Sequence, residues 1–416
     1  MTAARPVGRH AQLRSLYVHV PFCLSVCPYC DFVVRSGRAA TEGGGLLDRF
    51  QAALLTELEL RAAALDASDR LPGPASLETS YLGGGTPSLL GPRRVAVVLE
   101  AVDRRIGIAA HAEITIEVNP GPRDRGDLRG FVAAGVTRVS IGAQSLQPAE
   151  LRRLGRRHTP ADVADTVRLA RAAGARSVSL DLLYDLPGQT MASWRATLDA
   201  AIALAPDHLS AYALSLDDPD AEGLTGPTGD HLPVRPGARR WRERAAVEQD
   251  PDRAAAMYRL ADERLTGAGL HWYEVSNWAR PGHRCRHNLV YWERRPYLAL
   301  GPGAHGFDGT RRWWNGASLE AYLEALVPAG DTLPRLPRGG QDVVDERTAR
   351  SEGAILGLRL ADGLDRHVAD TLRRDPAMRE ALDWARAAGL LDSGGRGLAL
   401  TMDGRLLADE IFVRLL

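Results

Sequence analysis

The chain has 416 residues, with 52 basic and 52 acidic side chains and a formal net charge of zero. That balance gives no support for a nucleic-acid binder, which carries a basic excess, and a hydrophobic content of 45% argues against disorder. Every basic residue is Arg, which excludes a Schiff-base lysine and the lysine of a phosphate-binding loop.

At about 150 residues per domain the length suggests two or three domains, or one large α/β barrel with an appendage. The opening stretch, residues 1–15, is Arg-rich but lacks the apolar core of a secretory signal. No apolar run approaches the roughly 18 residues a membrane span needs. Strands are predicted at 16–20, 80–82, 113–118, 138–141, 177–183 and 209–214, rich in β-formers or nearly continuously apolar, as strands covered on both faces should be. Helical patterns lie between them, at 46–65, 93–105, 124–134, 161–173 and 191–204. Gly107, Gly135 and Gly174 are placed to end helices in the left-handed conformation, and Thr159 and Ser88 to start them. Six β–α repeats imply a parallel sheet with right-handed crossovers, either open or closed into a barrel.

The expected organisation is an α/β barrel over 1–215, a linker or insertion over 216–255, a barrel-flanking region over 256–340 and a C-terminal domain over 341–416. Within the second segment, 217–250 is rich in Pro, Gly, Asp and Arg, with a short helix around Trp241. A helix follows at 251–266, then an aromatic region over 271–314 with five of the eight tryptophans. The tail reads as three helices, a Gly-rich turn within 390–400 and a last helix over 401–416. That pattern is mainly helical and winged-helix-like, and is read as a packing module.

Four cysteines are too few for a secreted disulfide scaffold. Three of them, Cys23, Cys27 and Cys30, follow the first strand in Tyr17-Val-His-Val-Pro-Phe-Cys23-Leu-Ser-Val-Cys27-Pro-Tyr-Cys30. A local thiol cluster suggests a metal and a reducing compartment, so the chain is read as cytoplasmic. Thiolates suit zinc or iron–sulfur clusters. A structural zinc site closes with four protein ligands, whereas a cubane on three cysteines leaves one iron open. Zinc with a His ligand and a thiol redox pair at Cys27 and Cys30 stay as alternatives. Other strand ends carry Gly83-Gly84-Gly85-Thr86-Pro87, Glu117-Val-Asn119-Pro120, Gly142-Ala-Gln144-Ser145, and Asp181 with Asp185. A βα barrel gathers its functional groups at such ends.

The Cys-x3-Cys-x2-Cys loop after the first strand resembles that of the radical S-adenosylmethionine (SAM) superfamily. The resemblance implies a partial (β/α)6 barrel, a [4Fe–4S] cluster on Cys23, Cys27 and Cys30, and SAM on the open iron. The motifs Ile116-Glu-Val-Asn-Pro, Ser140-Ile-Gly-Ala-Gln-Ser, Leu154-Gly-Arg156-Arg-His158 and Asp181-Leu-Leu-Tyr-Asp-Leu-Pro-Gly-Gln-Thr190 are similar to those of the oxygen-independent coproporphyrinogen III oxidase-like branch. Coverage runs from about residue 15 to the C-terminus. By that resemblance Tyr17, Tyr29, Gly84, Gly85, Thr86, Glu117, Gln144, Arg156 and Asp181 contact SAM. Carboxylates suit ribose hydroxyls and an ammonium, and Arg suits a carboxylate.

Within the branch, the oxidase motif carries a further cysteine two residues after the third, and here that position is Phe32. The sequence resembles the HemW-type heme chaperones instead, which lack the oxidase activity. Cys285-Arg-His287-Asn288-Leu-Val-Tyr291-Trp292 is similar to their His-Asn-x-x-Tyr-Trp motif, which implies His287 as a heme ligand. Tyr291, Trp292 and Trp278 offer flat faces for a macrocycle, although the same residues also suit a capped loop and a core. The implied function is heme binding and transfer to acceptor proteins such as respiratory cytochromes, with the cluster and SAM gating transfer through a homodimer or a conformational change. The rival is the oxidase itself, in which a deoxyadenosyl radical attacks a propionate; a third reading is another radical SAM methylase or oxidoreductase. Asp185 departs from the usual Gly, a position Asp tolerates through left-handed geometry. His305 in Gly301-Pro-Gly-Ala-His305-Gly is a further candidate near a ligand.

Overall fold

The computed structural model describes residues 13–37, 44–66, 76–393 and 397–416. The basic stretch up to residue 12 and the Gly-rich turn at 394–396 lie outside them. Six strands run parallel as the sequence predicts: β1 (Ser15–Val20), β2 (Leu77–Gly84), β3 (Ile108–Val118), β4 (Arg138–Gln144), β5 (Ser177–Tyr184) and β6 (His208–Ala213). Helices α1 (Gly44–Asp66), α2 (Gly91–Arg105), α3 (Leu128–Ala133), α4 (Pro148–Arg153), α5 (Pro160–Ala172) and α6 (Met191–Ala203) alternate with them.

Local chemistry sets these bounds. Thr159 accepts from the Asp162 amide in a capping box at the start of α5. Gly107, Gly135 and Gly174 take positive φ at the helix ends. Ser88 is a correction: it lies inside a 3-10 turn, Pro87–Leu90, and its hydroxyl donates to the Asp124 carbonyl instead of capping α2. Asp185 does adopt the left-handed conformation, at φ 55°, and its buried carboxylate pairs with Arg253.

The strands are not apolar on both faces. Leu16, Val18, Ile116, Val139, Leu180 and Leu209 alternate with polar residues and join one core with Leu54, Val98, Phe131, Val167 and Leu198 of the helices. The opposite face carries Tyr17, Thr79, Tyr81, Glu117, Ser140 and Asp181, which bond or stack on one another or on His287. A polar inner face is what a ligand-holding barrel requires, and only the outer face needs to be apolar.

Later segments extend the sheet. After α7 (Pro236–Val247) and α8 (Pro251–Gly267), β7 (His271–Glu274) and β8 (Asn277–Ala279) form an antiparallel pair beside β6. After α9 (Arg286–Trp292), the short strand β9 (Leu298–Leu300) pairs in parallel with β1. The nine-stranded order among the described residues is β9-β1-β2-β3-β4-β5-β6-β8-β7. Strands β10 (His305–Phe307), β11 (Arg311–Trp314) and β12 (Gln341–Val343) make a separate antiparallel sheet, and α10 (Leu319–Leu326) packs on α1.

A second core gathers α11 (Glu346–Leu358), α12 (Arg366–Leu372) and α13 (Pro376–Ala387) with a small sheet of β13 (Leu364–Asp365), β14 (Leu391–Asp392) and β15 (Gly397–Leu400). The predicted last helix is two, α14 (Met402–Leu406) and α15 (Ala408–Leu415). The break at Leu407 lets Met402 and Leu406 pack on the main core while Ile411, Phe412 and Leu415 join the second. No helix among the described residues is long and apolar enough to cross a membrane.

Candidate cofactor site

The cysteine loop is closed at its base. Phe22–Cys23 bridges in parallel to Arg35–Ser36, and the Cys30 amide donates to the Cys27 carbonyl at 3.2 Å. Cys23 is buried, and Cys27 and Cys30 are half-buried. Burial pushes the Cys23 thiol up to about 11 and drives Cys30 up as well, and the other thiols of the loop raise each further. Such thiols ionise at neutral pH only when a cation compensates. Arg156 is the protein's own cation there, its Nη1 donating to Cys27 Sγ at 3.6 Å.

Arg156 ties three strand ends together. Its Nη2 donates to Asn119 Oδ1 at 2.5 Å and to the Gly142 carbonyl at 2.7 Å, and its buried Nε has no partner. Asn119 Nδ2 donates to Thr86 Oγ1 at 2.8 Å, and that hydroxyl lies 3.5 Å from Cys23 Sγ. Gln144 closes β4 at φ 64°. Tyr29 interacts with Cys27 and Arg156 and lies beside Trp241, with ring centroids 6.4 Å apart. Tyr17 stacks on Tyr81 at 6.3 Å, and its hydroxyl lies 3.0 Å from His19 Nδ1. Asp181 stands deeper, within β5, accepting from Ser140 and Ser210 at 2.9–3.2 Å.

The glycines serve the protein's own packing. A Cβ on Gly85 would stand 2.7 Å from the Phe22 carbonyl and 3.1 Å from Cys23 Sγ, and one on Gly84 would meet the His19 ring at 2.5 Å. The cysteine loop therefore lies directly on this turn, which admits no side chain.

Glu117 accepts from Tyr81 Oη at 2.7 Å and from the Gly84 amide at 3.0 Å. Burial raises its pKa to about 7, with Asp181 adding to the rise and the two hydrogen bonds opposing it. The folded value lies above the unfolded one, so the stability it contributes is full below about pH 4.5 and is lost as pH rises through about 7. Glu117→Gln, which mimics the protonated acid, is expected to melt about 2–4 °C above the wild type at pH 8 in SAM-free protein, with no difference at pH 4.5. A difference that does not change with pH contradicts this reading.

His287 sits against the polar inner face of the sheet, beside Thr79 and Tyr81. It is 1% exposed, with Nδ1 2.9 Å from Thr79 Oγ1, Nε2 2.9 Å from Tyr291 Oη and the ring stacked on Tyr81 at 5.2 Å. Burial lowers its pKa to about 3, and Arg295 adds to the fall. Trp278 is a core residue at 0% exposure, donating to Asp262, so it presents no free face. His305 is bonded to Asp230 and stacked on Trp314.

Sequence reasoning missed Asn119, although it lies in a quoted motif, and missed what covers the site. The 217–250 segment folds onto the cysteine loop: Trp241 Nε1 donates to the Arg153 carbonyl, and Arg242 donates to the carbonyls of Pro28 and Tyr29 at 3.3 and 3.1 Å. Among the described residues no group of three or more His, Cys, Asp or Glu side chains is drawn in around one ion; the sulfurs of a cubane bind separate irons and so stand apart.

A cysteine loop on β1, ringed by polar strand ends of a partial barrel, defines a radical SAM protein, and residues 17–201 match the sequence model of the Radical SAM superfamily. The fold agrees: the structure of coproporphyrinogen III oxidase (HemN) from Escherichia coli superposes with a TM-score of 0.77 at 23% identity, covering 98% of this chain and 91% of that one. Heme chaperone HemW of Mycobacterium tuberculosis is 41% identical over 401 residues, covering 96% of this chain and 94% of its own. Heme chaperone HemW of Synechocystis is 33% identical over 362 residues, with 86% and 80% covered. The chain belongs to the HemW family of radical SAM proteins.

Proposed function

We propose that the chain is a heme chaperone: it binds heme and hands it to acceptor proteins such as respiratory cytochromes, with release gated by its cofactors through dimerisation or a conformational change. One observation carries the reading. Relatives named heme chaperones match nearly the whole chain, and the position where the oxidase motif has a further cysteine is Phe32, which is 59% exposed beside the cysteine loop.

The donor set fits a [4Fe–4S] cluster with SAM. Cys23, Cys27 and Cys30 would hold the cluster, and when bound it supplies an iron with an open position. Around it, Arg156 offers a cation for a carboxylate, and Glu117 and Asp181 offer acceptors for an ammonium or for hydroxyls. Tyr17, Tyr29, Gln144 and Thr86 complete the wall, and the backbone at Gly84 and Gly85 forms its floor. Arg156 also favours the thiolate form of the loop, which metal loading requires.

Heme ligation by His287, which the motif implies, requires Nε2 to leave Tyr291. The test of the function is a pair of assays on anaerobically reconstituted protein. Hemin titration is expected to give a Soret band that saturates at a fixed stoichiometry, and mixing with apo-cytochrome is expected to move that band to the acceptor. Incubation with coproporphyrinogen III, SAM and a reductant is expected to give no decarboxylated product. Sustained turnover in that second assay would make the protein the oxidase instead, and failure to bind hemin would remove the chaperone reading.

A further inference from the structure

Helix α7 lies over the cysteine loop and carries one guanidinium into it. Arg242 is 7% exposed. Its Nε donates to the Pro28 carbonyl at 3.3 Å, its Nη2 to the Tyr29 carbonyl at 3.1 Å and its Nη1 to the Asp217 carbonyl. Pro28 and Tyr29 are the two residues between Cys27 and Cys30, so the guanidinium grips the backbone that spaces the last two sulfurs. Pro28 also packs on the turn at Gly155, where a Cβ would stand 3.2 Å from its ring. Arg156 reaches a sulfur directly, whereas Arg242 stands behind the loop's backbone.

What Arg242 lacks is an anion. Arg239, three residues earlier on the same helix, pairs with Asp218 and Asp220. Arg253, on α8, pairs with Asp185. Both of these are half-buried, whereas Arg242 is buried, and among the described residues no carboxylate pairs with it. Three carbonyl dipoles satisfy its N–H groups, but they do not neutralise its charge. A buried charge without a counter-charge is costly. This one is kept where the fold gathers three thiols. A cubane held by three thiolates is an anion, and it gains a further negative charge when it takes up an electron. A fixed cation behind the loop therefore favours the reduced form, because net charge, hydrogen bonding and burial set the potential of such a cluster.

We propose that Arg242 is a positioning residue for the cluster: it supplies a buried counter-charge that raises the cluster's reduction potential, and through the Pro28 and Tyr29 carbonyls it holds Cys27 and Cys30 at their spacing. This assignment rests on the reading of Cys23, Cys27 and Cys30 as cluster ligands. The charge arrives on α7, so the 217–250 segment sets the potential of the centre that it covers.

The test is a potentiometric titration of the anaerobically reconstituted full chain with dithionite, which delivers one electron per cluster. It is read by the electron paramagnetic resonance of the reduced cluster, alongside iron and sulfide analysis. At the wild-type midpoint, Arg242→Gln is expected to lower the ratio of reduced to oxidised cluster by about tenfold, which is a midpoint about 59 mV more negative for one electron. Arg242→Lys keeps the charge and loses the fork. It is expected to hold the midpoint near the wild-type value while loading less iron and sulfide. Arg240→Gln, at an exposed position on the same helix, is expected to leave both unchanged. A merely structural Arg242 would lower cluster content in both variants and leave the midpoint of the loaded fraction where it was. That outcome overturns the assignment, as does a shift of equal size in Arg242→Lys or Arg240→Gln. If Arg242→Gln holds too little cluster to titrate, Arg242→Lys decides: a cluster at the wild-type midpoint supports the charge role, and a displaced midpoint or no cluster contradicts it. If the wild-type chain itself takes up no iron and sulfide, the cluster reading falls first, and this assignment with it.

Discussion

Replacing Glu57 by leucine is expected to lower the unfolding free energy by about 3–5 kcal/mol. Glu57 is fully buried on α1. Its carboxylate accepts from Arg61 Nε at 2.7 Å, Tyr322 Oη at 2.7 Å, Asn315 Nδ2 at 2.8 Å and the Gly301 amide at 2.9 Å. Removing it takes the only carboxylate from a guanidinium that is 10% exposed and keeps just Asn315 Oδ1 as a hydrogen-bond partner among the described residues, and it takes an acceptor from three other donors. The damage reaches the site through Gly301, where a Cβ would lie 2.3 Å from the His19 carbonyl. Gly301 follows β9, the strand that pairs with β1, so Glu57 holds the edge on which the cysteine loop is built. Urea unfolding of the cofactor-free chain measures the effect. Glu57→Gln, which keeps the shape and part of the bonding, is expected to lose less. A loss under about 1 kcal/mol for Glu57→Leu contradicts this account.

Arg156→Leu is expected to lower the iron and sulfide content after reconstitution at pH 7 by severalfold, with recovery at pH 8.5. The substitution removes the cation that favours the Cys23 thiolate and leaves the Gly142 carbonyl and the Asn119 amide oxygen without their donor. Metal loading must deprotonate the thiols, so a lost cation moves loading to higher pH. Arg156→Lys keeps the charge but not the fork, and is expected to load closer to the wild type at pH 7 while binding SAM more weakly. The pH profile separates this positioning role from simple misfolding, because a misfolded chain gains nothing from alkaline conditions. Equal loading of Arg156→Leu and wild type across that range contradicts the role.

The parallel strands were legible because each has six or more residues that include apolar or β-branched side chains, and helical patterns separate them. The cysteine spacing and the strand-end motifs were legible because the chemistry sits in short local runs. What escaped depends on contacts far apart in sequence. The three residues of β9 carry too little pattern to read, and become a strand only by pairing with β1. The polar inner face was hidden because Ser140, Thr79 and Tyr81 are ordinary strand residues until their partners are known. His287 reads as an available ligand from its motif; its burial rests on Thr79, 208 residues away. That Gly84 and Gly85 must lack a side chain was not legible either, because the atoms a Cβ would meet belong to His19, Phe22 and Cys23. The 217–250 segment has the composition of a linker, and its role as a cover depends on Arg242 and Trp241 meeting the cysteine loop.

Mössbauer spectroscopy with iron and sulfide analysis of the anaerobically reconstituted wild-type chain tests the account most directly. The account predicts about four iron and four sulfide per chain, with the signal of one iron in four displaced when SAM is added. One zinc per chain without sulfide, or a full cluster whose spectrum SAM leaves unmoved, would contradict it.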